Sequence, residues 1–417
     1  MRILWVKADR LLPLHSGGNI RTYHIVRCLA AHHDLTFYSY YGGTPDDSYE
    51  RDLQQHLPGS VAVCTAQREL SGIARGFDYL AHLTAQPPYA VSRFASRKVQ
   101  DRIRDWFREQ SFDVAVCDFL DAAVNFPGRL TIPSVLFQHN VESEIWRRLA
   151  ATAGNPVKKM VYGMEFRKML RYEQSEVRKF HHVVAVSEND RTLMSRWVAP
   201  ARITVVPTGV DLTQYCPDPK APEPAPLVTF VGAMDWEPNV DGVEYLCSEI
   251  WPAIKMEVPE ARVRMVGRNP DRRVARWASD SIEVTGRVPS VVEHLRQSAV
   301  VVVPLRVGGG TRLKIYEAMA TAKAVVSTSV GAEGLDVHHG RDLMLADDPR
   351  SFAQAVIMLL RDRELRRRYE KAAAETAARY GWAAIGERFS GILQRVAMAS
   401  DKRSTTQTAH ELGRARL

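Results

Sequence analysis

The sequence of 417 residues contains only five cysteines, and no two of them form a Cys-x-x-Cys pair. An odd, scattered set argues against a disulfide framework and against a zinc site. The sequence also lacks an apolar run near the ~18 residues that a membrane span needs. Charged residues at Lys7, Asp9 and Arg10 interrupt the apolar start, which argues against a signal peptide. We therefore expect a cytoplasmic protein that is not integral to a membrane.

Two cofactor signatures are also missing. The first apolar segment is followed by Gly17 and Gly18 rather than by a G-x-G-x-x-G fingerprint, which weighs against a nicotinamide or flavin enzyme. No Asp-x-Asp metal motif stands out. The net charge of +8 is modest and has no nucleic-acid-binding motif beside it, so it suits an anionic small molecule better than RNA or DNA. We expect neither a metal nor a cofactor.

Short apolar runs alternate with longer amphipathic segments, a pattern typical of βαβ units around parallel sheets. The chain length suits two domains, and the proline-rich segment 220–226 separates two groups of such units. The sequence thus predicts two Rossmann-like α/β domains. The predicted strands are 3–6, 35–40, 61–64, 114–117, 134–138, 183–186, 203–206, 227–231, 262–266, 282–284, 300–303, 324–327 and 343–345.

Two candidate sites lie in the first half. Gly17 and Gly18 follow the first strand and open a helix, so their backbone N–H groups are predicted to press against a diphosphate or a sugar. A plain strand-to-helix turn is the alternative. His139 follows another strand at the edge where open α/β sheets bind ligands, and it is a candidate to orient a hydroxyl or relay a proton. The alternative for His139 is a helix cap or a backbone contact.

The third candidate is the most specific. A buried strand runs into Gly308, Gly309 and Gly310, and a helix then begins with Thr311-Arg312-Leu313-Lys314 and carries Glu317. Glycines allow close backbone approach, and a helix N-terminus offers unpaired N–H groups and a positive dipole end. Arg312 and Lys314 add full positive charges. The pattern predicts a site for a phosphate-bearing ligand.

With these motifs in view, the chain resembles retaining glycosyltransferases of the GT-B fold, specifically glycosyltransferase family 4. The resemblance covers most of the chain and is densest from Val205 to Leu345. The segments that carry it are Val206-Pro207-Thr208-Gly209-Val210-Asp211, Phe230-Val231-Gly232-Ala233-Met234, Val284-Thr285-Gly286-Arg287-Val288, Glu317-Ala318-Met319-Ala320 and Gly331-Ala332-Glu333-Gly334-Leu335.

The resemblance implies two Rossmann-like domains that face a central cleft. Residues 1–206 would bind the acceptor and 207–380 the nucleotide-sugar donor. Residues 381–400 would form a terminal helix that packs back on the first domain, and 401–417 would form a disordered tail. The activity implied is transfer of a hexosyl group from a nucleotide-diphosphate sugar to a hydroxyl acceptor, in cell-surface polysaccharide or glycolipid assembly.

The family pairs two glutamates eight positions apart, and this chain departs from that pattern. Glu317 matches the second glutamate, which holds the nucleotide ribose, whereas Gly309 stands at the first. By the resemblance, the backbone of 308–311 would hold the donor sugar. Arg312 and Lys314 would hold the diphosphate without a metal. Three further positions match the donor site, with the base near the last two: Gly232, Arg287 and Val288.

Other functions stay open at this point. Loss of the first glutamate is also consistent with a catalytically weakened GT-B protein that serves as a binding subunit, and a sugar-nucleotide epimerase can share the fold. The acceptor is expected near Gly17, Gly18 and His139. Two basic helical segments, 92–108 and 158–179, suggest a lipid-linked acceptor and peripheral contact at the inner face of the membrane, with solvated helix faces as the alternative.

Overall fold

The computed structural model describes residues 1–14, 16–65, 78–79, 87–218, 222–307 and 313–414, with the side chains of 152 and 400–414 left out. Contacts divide the chain into two units. The N-terminal unit contains Met1–Val206 together with Ile385–Leu417, and the C-terminal unit contains Pro207–Ala384. None of the described helices is long and apolar enough to cross a membrane.

The N-terminal unit is built on a parallel sheet of seven strands in the order β3-β2-β1-β4-β5-β6-β7. Its central strands are buried along almost their whole length, as expected for strands that are covered on both faces. Phe389, from the last helix, packs its ring 5.3 Å from Trp5 in this core. The strands are β1 (Arg2–Ala8), β2 (Asp34–Tyr41), β3 (Val61–Cys64), β4 (Val114–Asp118), β5 (Ser134–Phe137), β6 (His182–Ala185) and β7 (Ile203–Val205).

The C-terminal unit repeats this design with a six-stranded parallel sheet in the order β10-β9-β8-β11-β12-β13. Every strand predicted from the sequence is present within two residues of its expected bounds. The α/β fold class with two parallel-sheet domains is therefore confirmed. These strands are β8 (Leu227–Val231), β9 (Arg262–Val266), β10 (Ile282–Val284), β11 (Val300–Val303), β12 (Ala324–Ser327) and β13 (Met344–Leu345).

Helices connect the strands in both units. Within the described residues of the N-terminal unit, the helices with full bounds are Gly17–Ala30, Asp47–His56, Tyr89–Ser92, Arg97–Glu109, Glu142–Thr152, Pro156–Lys179 and Glu188–Met194, with 3-10 turns at Leu120–Asn125 and Pro200–Arg202. Those of the C-terminal unit are Glu237–Tyr245, Trp251–Glu257, Arg272–Ala275, Val291–Arg296, Leu313–Ala320, Pro349–Arg361 and Arg363–Ala378, with a π-helical turn at Leu246–Ile250. The last helix is Trp382–Arg414.

One helix prediction differs from the structure. The segment 92–108 is broken, because the buried Asn125 side chain accepts a hydrogen bond from the Ser96 N–H at 2.9 Å and donates to the Phe94 carbonyl at 2.8 Å. The last helix is described as far as Arg414 and so extends into the segment expected to be a disordered tail, 401–417, whose disorder stays a prediction. No proline between 382 and 414 interrupts that helix.

Candidate active site

In the N-terminal unit, the predicted His139 lies near the point where the strand order reverses. β1 and β4 are neighbours in the sheet although two strands separate them in the chain. Open α/β sheets bind ligands at the carboxyl ends of strands at such a switch point. Asp118 is the last residue of β4 and is fully buried, and His139 lies two residues beyond β5. The fold therefore brings these side chains to the ligand-binding edge.

The Asp118 carboxylate is the centre of a buried hydrogen-bond network. Its Oδ1 accepts from His139 Nε2 at 2.7 Å. Its Oδ2 accepts from the Thr22 hydroxyl at 2.7 Å and from Trp5 Nε1 at 3.1 Å. Burial alone would raise the pKa of Asp118, but the His139 hydrogen bond and the nearby Lys7 charge outweigh it, and the pKa is lowered. Asp118 is therefore an ionised anchor shared by three elements.

The His139 ring is fixed on both edges and both faces. Arg21 Nη1 donates to His139 Nδ1 at 3.0 Å, and because a guanidinium only donates, the ring proton must be on Nε2, facing Asp118. The ring stacks on Phe119 with centroids 3.6 Å apart and lies 4.2 Å from the Phe137 centroid. Burial lowers the pKa of His139 to about 4. In this arrangement the imidazole is neutral and holds Arg21 and Asp118 in place.

The buried imidazole makes a testable pH prediction. Between pH 6.5 and 4 His139 takes up a proton in the unfolded state but stays neutral in the folded state. The folded state therefore loses stability as pH falls through this window. In His139→Gln the amide can still donate to Asp118 and accept from Arg21. The stability difference between wild type and variant should therefore shrink by about 1–2 kcal/mol from pH 7 to 5, as measured by urea unfolding.

Three carboxyl groups with a raised pKa act in the opposite direction, which is why the prediction concerns a difference between two proteins. Burial raises the pKa of Asp121 to about 6, of Glu142 to about 8 and of Glu173 to about 7. These groups are present in both proteins, so their contributions cancel. A difference that stays constant from pH 7 to 5 would contradict the assignment of a neutral His139.

Gly17 and Gly18 begin the first helix, as predicted. The Ser16 hydroxyl caps this helix by accepting from the Asn19 N–H at 3.1 Å. A Cβ atom on Gly18 would lie 2.3 Å from Cζ of Phe119, so this position needs a glycine for packing against the ring that stacks on His139. The structure thus gives Gly18 a local packing role, and the ligand contact remains a prediction.

In the C-terminal unit, the switch point lies between β8 and β11. Gly232 follows β8, and a Cβ atom there would lie 2.6 Å from Nδ2 of Asn239. Asn239 is buried, and its amide donates to the Ala233 carbonyl at 2.8 Å while its Oδ1 accepts from Lys314 Nζ at 2.9 Å. The Lys314 ammonium also lies 4.6 Å from the centroid of Phe230 in β8. The helix after β11 therefore places the Lys314 ammonium at the end of β8.

Glu317 lies one turn beyond Lys314 on the same helix, so the two side chains share a face. Burial raises the pKa of Glu317, and a hydrogen bond from the Tyr215 hydroxyl together with the Lys314 charge partly offsets that rise. Tyr215 closes a turn, since its N–H donates to the Asp211 carbonyl at 2.8 Å. A partly buried carboxylate thus lies close to a cation at the sheet edge.

The remaining residues predicted to bind the nucleotide-sugar donor are either exposed, partly buried or outside the described part of the chain. Arg287 is exposed and Val288 is half-buried, after a Gly286 with a φ of 70°. Gly308, Gly309, Gly310, Thr311 and Arg312 lie outside the described residues. Of the predicted site residues, Lys314 and Glu317 lie close together in the C-terminal unit, whereas His139, Gly17 and Gly18 lie in the N-terminal unit.

Sequence reasoning missed four side chains that complete these two clusters: Asp118, Arg21, Tyr215 and Asn239. Asp118 had a usable signal, because it is an acidic residue at the end of an otherwise apolar strand. Arg21 and Asn239 lie on helices among other polar residues, where no local pattern marks them as buried. Their roles depend on contacts across more than 70 positions of the chain.

Two family models match consecutive parts of the chain. The model described as "Glycosyltransferase Family 4" matches residues 15–214, and the model described as "Glycosyl transferases group 1" matches residues 225–362. Each match falls almost entirely within one structural unit. The second match contains the Gly232 loop, Lys314 and Glu317.

Curated relatives are distant. An "Uncharacterized 44.6 kDa protein in cps region" of Klebsiella pneumoniae is 24% identical over 85% of this chain and 90% of its own length. A phosphatidyl-myo-inositol mannosyltransferase of Mycolicibacterium smegmatis is 26% identical over 55% of this chain. The chain spans only 62% of the length of that second relative.

Solved structures share the fold. Sucrose-phosphate synthase from Thermosynechococcus elongatus has a TM-score of 0.70 at 17% identity and covers 96% of this chain and all of its own. The Anabaena protein Alr3699/HepE, solved with UDP, has a TM-score of 0.67 at 14% identity over 95% of this chain and all of its own. The two family matches together span most of the chain and agree with the two parallel-sheet units, and the chain belongs to the glycosyltransferases of the GT-B fold.

Proposed function

We propose that this protein transfers a hexosyl group from a nucleotide-diphosphate sugar to a hydroxyl acceptor, with retention of the anomeric configuration, in polysaccharide or glycolipid assembly. The observation that carries the proposal is the placement of Lys314 and Glu317. One helix presents a cation and a carboxylate at the carboxyl edge of the C-terminal sheet, beside the Gly232 loop. A diphosphate needs the cation, and ribose hydroxyls need the carboxylate.

The donor is held by charge and backbone. Lys314 and Arg312 bind the diphosphate, Glu317 accepts hydrogen bonds from the ribose hydroxyls, and the backbone of 308–311 holds the sugar. The base lies near Arg287 and Val288. The Anabaena neighbour, solved with UDP, supports a uridine nucleotide as the first donor to test.

The chemical step breaks the bond between the anomeric carbon and the diphosphate oxygen. The electron pair stays with the diphosphate, and the new bond forms from the acceptor oxygen to the anomeric carbon on the same face. The acceptor proton passes to the leaving phosphate oxygen. Lys314 and Arg312 stabilise the charge that develops on the leaving group, an effect that can contribute about 2.7–4 kcal/mol. The step as proposed needs no metal and no cofactor.

The N-terminal unit binds the acceptor in this proposal. The neutral His139 acts there as a positioning residue, because it fixes the buried Arg21 cation and the Asp118 carboxylate. The name of the mycobacterial relative, a phosphatidyl-myo-inositol mannosyltransferase, supports a lipid-linked acceptor. Contact with the inner face of a membrane is part of the proposal.

A panel of UDP, GDP, ADP and TDP sugars tests the function. A bound nucleotide sugar should raise the melting temperature by mass action. Proton NMR of the product formed from the donor that binds should show the anomeric configuration of that donor. Binding without any transfer or hydrolysis would instead favour the binding-subunit alternative, and inversion of the anomer would contradict the retaining mechanism.

Tyr215 provides a prediction specific to this site. Its hydroxyl lowers the pKa of Glu317 by hydrogen bonding, so Tyr215→Phe should raise that pKa and protonate the carboxylate at higher pH. The pH at which nucleotide affinity falls on the acid side should therefore be higher in Tyr215→Phe than in wild type. Calorimetric titration of UDP from pH 5 to 8 measures this, with Tyr369→Phe as the matched control. If UDP affinity falls at the same pH in wild type and in Tyr215→Phe, the hydrogen bond from Tyr215 does not set the pKa of Glu317.

A further inference from the structure

A cavity of about 540 Å³ lies in the N-terminal unit, at the sheet edge opposite to Asp118 and His139. His182 and Arg202 both line it, and they lie at the amino ends of β6 and β7. Asp118 and His139 instead lie at or beyond the carboxyl ends of β4 and β5. The last helix contributes Arg395 to the lining. Pockets for small ligands measure about 300–1,000 Å³, so this cavity is large enough to hold one.

The charged side chains that line this cavity all have the same sign. Among the described lining residues, five are basic and none is acidic. Lys179 forms an ion pair with Glu176. Arg202 and Arg395, in contrast, form no ion pair with any residue that the structure describes. Two guanidinium groups therefore face one space without a carboxylate partner. The basic residues are Lys179, His181, His182, Arg202 and Arg395.

The Arg202 guanidinium is fixed in place by the end of the helix Pro156–Lys179. Its Nη2 donates to the Phe180 carbonyl and, at 3.1 Å, to the Arg178 carbonyl. Its Nε donates to the His181 carbonyl at 3.4 Å. These acceptors carry no full charge, and within the described part of the chain nothing accepts from Nη1. Arg202 is therefore a preorganised cation that can still donate to a ligand, which reduces the entropy lost on binding.

The two arginines converge on His182. His182 Nε2 lies 2.9 Å from the Thr204 hydroxyl oxygen. Burial lowers the pKa of His182 to about 4, and the charges of Arg395 and Arg202 contribute to this shift. The imidazole is therefore neutral at pH 7, and the positive charge that surrounds it is left to the arginines. A cleft lined by charge of one sign concentrates ions of the opposite sign.

Apolar side chains form another part of the cavity wall. Ile392 and Val396 lie one turn apart on the last helix, and Arg395 lies between them in the sequence. Ile392 is buried and Val396 is half-buried. Phe180 is also buried and lines the same cavity. A ligand that fits this wall has a carbon body attached to its anionic group.

We propose that this cavity binds a small organic phosphate, with the phosphate group between Arg202 and Arg395 and the carbon body against Ile392 and Val396. Guanidinium groups match the geometry of phosphate oxygens and form strong, charge-assisted hydrogen bonds with them. A phosphate dianion balances both arginine charges, whereas a carboxylate balances only one. The inference goes beyond the proposed function, because none of these residues belongs to the proposed donor or acceptor site.

Calorimetric titration of the full chain with phenyl phosphate and with inorganic phosphate, at pH 7.5 and low salt, tests the site. Phenyl phosphate should bind more tightly than inorganic phosphate, because its ring covers the apolar wall. Arg395→Ala should weaken phenyl phosphate binding by about tenfold or more. Arg388→Ala is the matched control, since it removes the same charge from an exposed position on the same helix that does not line the cavity. It should leave the affinity unchanged.

A double variant of the C-terminal unit, Lys314→Ala with Glu317→Ala, separates this site from the proposed donor site. It should bind phenyl phosphate as wild type does, and Arg395→Ala should bind UDP as wild type does. Three outcomes would overturn the inference: no binding of phenyl phosphate to wild type, equal weakening by Arg388→Ala and Arg395→Ala, or loss of binding in the double variant but not in Arg395→Ala. Phenyl phosphate binding without any nucleotide binding would contradict only the proposed function.

Discussion

Replacing Glu317 with alanine is expected to lower kcat/KM for the donor by about 100-fold or more. A hydrogen bond to a charged group contributes about 1.5–3 kcal/mol, and the proposal gives Glu317 two ribose hydroxyls to bind. The melting temperature should change little, because Glu317 is only partly buried. Initial rates of nucleoside diphosphate release over a range of donor concentrations measure the effect.

Two controls isolate the ribose contact. With a donor whose ribose lacks both hydroxyls, Glu317→Ala should cause almost no further loss of kcat/KM. The variant and the altered donor form a double-mutant cycle in which each change removes the same contact. Glu293→Ala removes a 63% exposed glutamate of the same unit and should leave kcat/KM unchanged. Equal losses with both donors would mean that Glu317 acts through the structure of the helix rather than on the ribose.

Asp118→Ala is expected to cost about 3–5 kcal/mol of unfolding free energy, the second large effect. Removing the shared acceptor leaves each buried donor unsatisfied, which costs about 1–3 kcal/mol per group. Here the side chains of His139, Thr22 and Trp5 would each lose a hydrogen-bond acceptor inside the core. Urea unfolding, followed by tryptophan fluorescence, measures this loss.

The matched control is Asp113→Ala, which lies in the loop before the same strand. Asp113 pairs with Arg2 at 2.9 Å, but its side chain is 38% exposed. An exposed ion pair contributes only about 0–1 kcal/mol, so this variant should remain close to wild type. Similar losses for the two aspartates would show that Asp118 is not the anchor of a buried network.

The strands were predictable because a buried parallel strand is a short apolar run with clear ends. Val300–Val303 consists of four valines, and its position was read directly from the sequence. Lys314 and Glu317 were predictable for a different reason, because a local motif places them at the start of a helix after a strand.

The contacts that complete each cluster were not predictable in the same way. Lys314 reaches Asn239 across 75 positions, and Arg21 reaches His139 across 118. Periodicity reports which face of a helix is apolar, but it does not report which polar side chain that face covers. His139 shows the consequence, since its position was predicted correctly whereas its neutral, doubly hydrogen-bonded state depended on Arg21 and Asp118.

The proposed role of Lys314 and Glu317 is to bind a nucleoside diphosphate. Calorimetric titration of UDP, GDP, ADP and TDP against wild type and against the Lys314→Ala, Glu317→Ala double variant tests it most directly. At least one of the four nucleotides should bind wild type, and the double variant should lose that affinity by about 100-fold or more. Absence of binding to wild type, or equal affinity in the two proteins, would contradict it.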